Sequence, residues 1–207
     1  MAVAVKVCGI TRVEDALAAA RAGVQALGFI FHPPSPRHVD IPRVHAIVRV
    51  LPPFITTVGV FVDPERAFVE SVLRQVRLGV LQFHGDEDPD FCAGFGVPYM
   101  KAVRVRDGLD LLQYASLFRG AQALLLDAFV PGSHGGTGQT FDWALIPTSL
   151  PLPIVLSGGL DAANVASAIR RVRPWAVDVS SGVESDKGIK DAAKIAAFMR
   201  GVRDADV

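Results

Sequence analysis

Eight short runs rich in β-branched, aromatic and other apolar residues recur along the chain, at residues 5–10, 26–31, 56–62, 79–84, 100–105, 123–128, 153–156 and 176–180. Their starts are separated by 21, 30, 23, 21, 23, 30 and 23 residues. Each interval holds one helix and two short loops, which is what a crossover between parallel strands requires. Leu124-Leu125-Leu126 and Ile154-Val155-Leu156 are apolar without alternation, the pattern of strands covered on both faces. Helical periods fall between them. Residues 12–22 are alanine-rich with Glu14 and Asp15 in the first turn and Gly23 after the last. Residues 64–76 follow Asp63 as N-cap with Pro64 at the first helical position, and residues 162–172 and 190–202 show apolar spacings of three and four.

Such a repeat closes into a (β/α)₈ barrel or opens into a doubly wound sheet. The open sheet announces itself by a Gly-rich turn after its first strand, whereas here that strand runs into Cys8-Gly9-Ile10-Thr11 and the Gly-rich turns come late. The chain therefore reads as α/β, a single TIM barrel domain over residues 1–207 with short helices.

Composition narrows the function. The 21 basic and 21 acidic residues balance to zero net charge, which argues against a broad nucleic-acid surface. Half of the residues are apolar and the mean hydropathy is +0.35, so a large core is available and disorder is excluded. The longest uncharged stretch, residues 143–160, contains Pro147, Pro151, Pro153 and Gly158-Gly159 and cannot form one membrane-spanning helix. Two cysteines make no disulfide framework, and the N-terminus has no apolar run long enough for a signal peptide. A cytoplasmic protein without membrane or nucleic-acid partners is expected. Oligomeric state is left open.

In a barrel, chemistry sits at the carboxyl ends of the strands. Gly135-Gly136-Thr137-Gly138, Ser157-Gly158-Gly159 and Ser180-Ser181-Gly182 follow strands six, seven and eight. Any one cluster is explained by a tight turn. Three on successive loops point to backbone amides converging on a phosphate, with Ser157, Gly159, Ser181 and Gly182 as contacts and Gly136 and Gly138 shaping the sixth loop. Asp127 ends an apolar strand and is followed by a glycine-rich stretch in which no helix starts, so a functional carboxyl is favoured over an N-cap. Cys8 is either a small buried hydrophobe or a thiol whose deprotonation Lys6, on the same strand face, would favour. Lys6 and Asp178 fall on inward positions of neighbouring strands and read as a buried ion pair. Arg37, in Pro33-Pro34-Ser35-Pro36-Arg37, reads on its own as a solvated surface residue, His84 as a mouth-lining one and Cys92 as packing. No metal-ligand spacing and no dinucleotide fingerprint occurs.

Taken in order, Lys6-Val7-Cys8-Gly9-Ile10-Thr11, Ser35-Pro36-Arg37, Gln82-Phe83-His84-Gly85, Leu126-Asp127, Gly135-Gly136-Thr137-Gly138, Leu156-Ser157-Gly158-Gly159 and Asp178-Val179-Ser180-Ser181-Gly182-Val183-Glu184 resemble phosphoribosylanthranilate isomerase of tryptophan biosynthesis. The resemblance implies a (β/α)₈ barrel without metal or organic cofactor that carries out an Amadori rearrangement of N-(5-phosphoribosyl)anthranilate. It implies Cys8 as general base, Asp127 as general acid, Arg37 as the contact for the anthranilate carboxylate and His84 as a substrate-pocket residue. It also implies a phosphate bound by Ser157, Gly158, Gly159, Ser181 and Gly182. The sequence departs from the family in having Phe83 where Leu is frequent and Lys187 where Pro often precedes the glycine. The aminoaldose isomerase of histidine biosynthesis is the nearest rival. It carries aspartate where this chain has Cys8 and needs a second phosphate cradle, for which the first half of the chain has no matching Gly-rich turn. A non-catalytic phosphosugar-binding barrel is disfavoured by the presence of both Cys8 and Asp127.

Overall fold

A computed structural model of the chain describes residues 2–128 and 140–205. Eight parallel strands, β1 (Ala4–Cys8), β2 (Ala26–Ile30), β3 (Thr56–Phe61), β4 (Val80–Phe83), β5 (Tyr99–Val105), β6 (Ala123–Ala128), β7 (Ile154–Leu156) and β8 (Ala176–Val179), pair in chain order. The ring closes through β1 and β8, with Lys6 opposite Asp178. The helices are α1 (Val13–Ala22), α2 (Ile41–Val48), α3 (Arg66–Gln75), α4 (Pro89–Ala93), α5 (Leu111–Leu117), α6 (Val165–Val172) and α7 (Ala192–Arg203). Between β6 and β7 the described residues hold only a 3₁₀ turn, Trp143–Leu145, and an antiparallel hairpin of β9 (Glu184–Asp186) and β10 (Ile189–Lys190) lies between β8 and α7. Among the described residues no helix is long and apolar enough to cross a membrane.

Period-two alternation sorts the strand side chains into two sets. Val5, Val7, Leu27, Phe29, Leu81, Leu124, Leu126 and Val177 face outward and form the main core beneath the helices. A smaller inner cluster, Val58, Met100, Ala102, Ala123, Leu125, Val155 and Ala176, fills the barrel. The same alternation turns Cys8, Asp127 and Ser180 toward the carboxyl-end mouth, one layer above Lys6, Gln82 and Asp178. Lys6 and Asp178 form the buried ion pair expected of them, at 2.8 Å. Phe68 packs edge-on against Phe31 and Phe61, whereas Phe54 is 98% exposed in a left-handed conformation.

Three helix starts differ from the sequence reading by two residues or more. α3 begins at Arg66 rather than Pro64, because the Asp63 carboxylate accepts from the Asp86 amide in the loop after β4 and caps nothing. α6 begins at Val165, because Asp161 takes the amides of Ala163 and Asn164 and holds residues 161–164 in a turn. α7 begins at Ala192, because Asp191 caps the amides of Ala193 and Lys194 while Lys190 belongs to β10. α1 ends where expected, on Gly23 with φ of 90°, a conformation that glycine adopts without strain.

Candidate active site

One cavity opens at the carboxyl ends of the strands, and Cys8, Arg37, His84, Asp127, Ser157, Gly158, Gly159 and Ser181 all line it. The sequence reading named every one of these. Ile30 and Val60 add apolar wall, and Gln82, Asp178 and Ser180 complete the polar floor and rim. Gly136 and Gly138 lie outside the described residues.

Cys8 ends β1, and its neighbour in the register of β2 is Gly28. Burial pushes the thiol above its ordinary value; Lys6 and Lys190 pull it down, Asp178 pushes it up, and the balance remains upward. Lys6 thus favours the thiolate as expected, but burial outweighs it. Burial disfavours the Lys6 ammonium, but the adjoining Asp178 carboxylate outweighs it and keeps Lys6 charged, so that lysine is already matched by an anion. Ser180 donates its hydroxyl to the Cys8 carbonyl at 3.1 Å, tying the end of β1 to the end of β8. Cys92 is fully buried against the core with its thiol pushed up to about 12 by burial, as packing residues are.

Asp127 stands at the end of β6, two strands from β8 and three from β1 around the ring, and thus across the mouth from Cys8. Its Oδ1 accepts from the Ala128 amide at 2.8 Å, and its Oδ2 lies 3.4 Å from His84 Nε2. The ring of His84 is held from behind by Gln82, whose Nε2 donates to Nδ1 at 3.0 Å. The contact on Nδ1 leaves Nε2 as the edge turned to Asp127. His84 Nε2 and Gln82 Oε1 are buried and have no well-formed hydrogen bond among the described residues. Both belong to residues lining the cavity. Gln82 was missed as a site residue, though the alternation Gln82-Phe83-His84 places it on the same face as His84.

The turns after β7 and β8 meet. Gly158 and Gly159 have φ of 86° and 59°, and a Cβ on Gly158 would stand 2.9 Å from the Ala128 amide nitrogen. A Cβ on Gly182 would collide with the Leu160 carbonyl oxygen, so the two loops touch only because glycine is there. Ser157 uses its amide on the Leu126 carbonyl at 2.8 Å, and its hydroxyl reaches Asp178 at 3.4 Å. Among the described residues no protein acceptor takes the amides of Gly159 or Ser181.

Arg37 departs most from expectation. It is 6% exposed, not solvated. Its Nε and Nη2 donate to the two carboxylate oxygens of Glu184 at 2.7 and 2.8 Å, which raises the guanidinium still further. Glu184 also accepts from Lys190 Nζ at 2.7 Å. Burial opposes its charge, yet Arg37 and Lys190 hold its carboxyl below the usual range. A second buried pair, Lys101 with Glu87 at 2.7 Å, fixes the loop after His84: Lys101 also donates to the Gly85 carbonyl, and Glu87 accepts from the Gly85 amide. The sequence reading missed this pair, whose signal was Lys101 among the apolar residues Tyr99, Met100, Ala102 and Val103 of β5.

A closed barrel whose mouth joins a carboxyl group, a thiol and an arginine over glycine-rich turns defines a (β/α)₈ enzyme for a small anionic molecule. The model of the N-(5'phosphoribosyl)anthranilate (PRA) isomerase family matches residues 5–201. The N-(5'-phosphoribosyl)anthranilate isomerase of Nitrosospira multiformis is 62% identical over 202 residues, 98% of this chain and 97% of its own. The crystal structure of phosphoribosyl anthranilate isomerase from Thermotoga maritima superposes with a TM-score of 0.88 at 41% identity, covering 98% of this chain and 99% of that one. A phosphoribosyl anthranilate isomerase in complex with reduced 1-(o-carboxyphenylamino)-1-deoxyribulose 5-phosphate gives 0.83 at 37% identity, covering 98% and 99%. The chain belongs to the N-(5'-phosphoribosyl)anthranilate isomerase family, enzymes of tryptophan biosynthesis.

Proposed function

We propose that this single-domain barrel, residues 1–207, converts N-(5'-phosphoribosyl)anthranilate into 1-(2-carboxyphenylamino)-1-deoxyribulose 5-phosphate in the cytoplasm, with Asp127 as general acid and Cys8 as general base. The observation that carries the reading is that both side chains line one cavity from opposite sides of the mouth. The reaction needs two proton transfers at different atoms. Protonation of the ribose ring oxygen by Asp127 breaks the C1–O bond and leaves an iminium between C1 and the anthranilate nitrogen. That cation acidifies the proton on C2, which the Cys8 thiolate removes to give the enolamine, the tautomer of the keto product. One acid and one base on facing strands serve these two atoms without either moving far.

The substrate is anionic at both ends. The glycine turns supply amides for the phosphate, from Gly158, Gly159, Ser181 and Gly182, with Ser157 supporting the turn and Gly136 and Gly138 assigned to the sixth loop. Arg37 takes the anthranilate carboxylate, for which a planar guanidinium is the matched partner. His84, whose Nε2 lies 3.4 Å from Asp127 Oδ2, is a substrate-pocket residue beside the acid. No chemistry in this scheme requires a metal or an organic cofactor. The test is a turnover assay with freshly prepared substrate, following loss of the anthranilate-ester fluorescence. Conversion that disappears in both Cys8→Ala and Asp127→Asn upholds the scheme, and well-folded wild-type protein without turnover overturns it.

A further inference from the structure

Arg37 sits in an irregular loop, where a long side chain has every opportunity to wander, yet three separate features of the fold hold it in place. A Cβ on Gly9 would lie 2.6 Å from Arg37 Cδ, so the arginine stem passes over the end of β1 through space that only glycine leaves open. The turn of the β9–β10 hairpin packs on the same loop, since a Cβ on Gly188 would lie 3.3 Å from the Pro36 carbonyl oxygen. The head is gripped by Glu184 through Nε and Nη2. That grip occupies one edge of the guanidinium. Nη1 has no partner among the described residues, and Arg37 lines the cavity that also holds Cys8.

Glu184 is itself immobilised. Lys190 Nζ donates to its Oε1 at 2.7 Å and to the Ser180 carbonyl at 3.1 Å, Lys194 Nζ donates to its backbone carbonyl at 2.6 Å, and the Lys190 amide donates to Asp15 at 3.0 Å. Arg37, Glu184 and Lys190 are all buried, and the arginine and the lysine converge on one carboxylate. The neighbouring ions are matched among themselves, Lys6 with Asp178 and Arg12 with Asp15. Among the described residues, Arg37 thus turns an unpaired N–H edge to the wall of the cavity, and a carboxylate is the group that accepts from it.

We infer that Glu184 is a positioning residue for substrate selection: it fixes the rotation of the Arg37 guanidinium so that the free edge meets the carboxylate of the aryl amine, and it makes the enzyme discriminate for substrates that carry that group. The inference rests on the reading of Arg37 as the carboxylate contact. Glu184 acts through Arg37 and touches no reacting atom.

The experiment compares two substrates on the full-length protein, N-(5'-phosphoribosyl)anthranilate and the aniline analogue that lacks the carboxylate. The readout is the ratio of their kcat/KM values. Wild type prefers the carboxylated substrate, and both Arg37→Ala and Glu184→Gln reduce that preference by about tenfold or more, as expected for one lost charge-assisted contact. The loss in Glu184→Gln falls on KM for the carboxylated substrate, with kcat and the analogue's kinetics little changed. If Glu184→Gln leaves two cations too exposed to each other for folding, Glu184→Gln/Lys190→Met restores the charge count and its ratio decides. Preference lost in Arg37→Ala but intact in the Glu184 variants overturns the inference and leaves the role of Arg37 standing. Equal loss on both substrates in the Glu184 variants marks a merely structural role and also overturns it. Preference intact in Arg37→Ala overturns the Arg37 reading, and the inference with it.

Discussion

Gly28 lies beside Cys8 in the β1–β2 register, and a methyl group in its place would stand 2.8 Å from Cys8 Sγ and 3.1 Å from Lys6 Cε. The proposed base occupies space that a neighbouring strand leaves empty. Gly28→Ala is expected to displace the thiol by a few tenths of an ångström or more. Misplacement on that scale lowers kcat by about 10- to 100-fold. Overpacking lowers stability by about 1–3 kcal/mol. Steady-state kinetics with a thermal melt check both. Unchanged kcat in a folded variant would show that the thiol position is not critical.

The pH dependence follows from the sign of the Cys8 shift. Burial raises the thiol above its ordinary value, and a base must be deprotonated to act. Each pH step below that raised value therefore leaves proportionally less thiolate. The thiolate fraction of Cys8, read as ultraviolet thiolate absorbance in wild type minus Cys8→Ala, should climb about tenfold per pH unit from neutral pH past the ordinary thiol value of about 8.5. Cys8→Asp should keep part of the activity, because a carboxylate is already ionised at neutral pH. A Cys8 thiol already fully ionised at neutral pH would contradict the upward shift.

Asp127→Asn preserves the shape of the side chain and an oxygen able to accept from the Ala128 amide, but has no proton of useful acidity. Loss of a general acid typically costs about 10²–10⁴-fold in rate. The expected outcome is a fall of that size in kcat with a thermal midpoint close to wild type. A collapse of the fold instead would make Asp127 structural.

The Lys6–Asp178 pair lies beneath the reacting groups, both partners nearly fully buried. Removing one member leaves an uncompensated buried charge at a cost of about 3–5 kcal/mol, whereas replacing both by apolar residues of similar size is often close to neutral. Lys6→Met should therefore be much less stable than Lys6→Met/Asp178→Leu. Denaturant titrations of the two variants give the comparison, and equal stabilities would contradict it.

Gly182→Ala would drive a methyl group into the Leu160 carbonyl. The loops after β7 and β8 must then separate. We expect a rise in KM for the phosphorylated substrate together with a loss of stability of about 1–3 kcal/mol or more. Inhibition by inorganic phosphate, weaker in the variant than in wild type, ties the effect to anion binding. Unaltered phosphate affinity would place the phosphate elsewhere.

Much of the barrel and its mouth is legible in the amino-acid sequence. The spacing of the eight apolar runs, together with the late glycine turns, points to the closed barrel, because a parallel crossover demands a fixed length of chain. Period-two alternation from Cys8 down to Lys6 places both on the inner face, and the motifs locate Cys8, Arg37, His84, Asp127 and the Ser157–Gly159 turn on the cavity wall, whereas Gly182 does not line it. Local capping is less legible. Asp63 carries the signature of an N-cap, and the loop after β4 takes its carboxylate first.

What the sequence determined by itself, then, was the repeat and the direction each strand residue faces, since both follow from backbone geometry over a few consecutive residues. What tertiary structure alone decided were the states of the charged groups. Arg37 and Glu184 are 147 residues apart, so no local pattern distinguishes an arginine that will be gripped and buried from one left in water. The thiol of Cys8 is raised because burial outweighs a lysine already held by Asp178. Desolvation and charge pairing depend on everything that converges around an atom, and in a closed barrel those groups come from both ends of the chain.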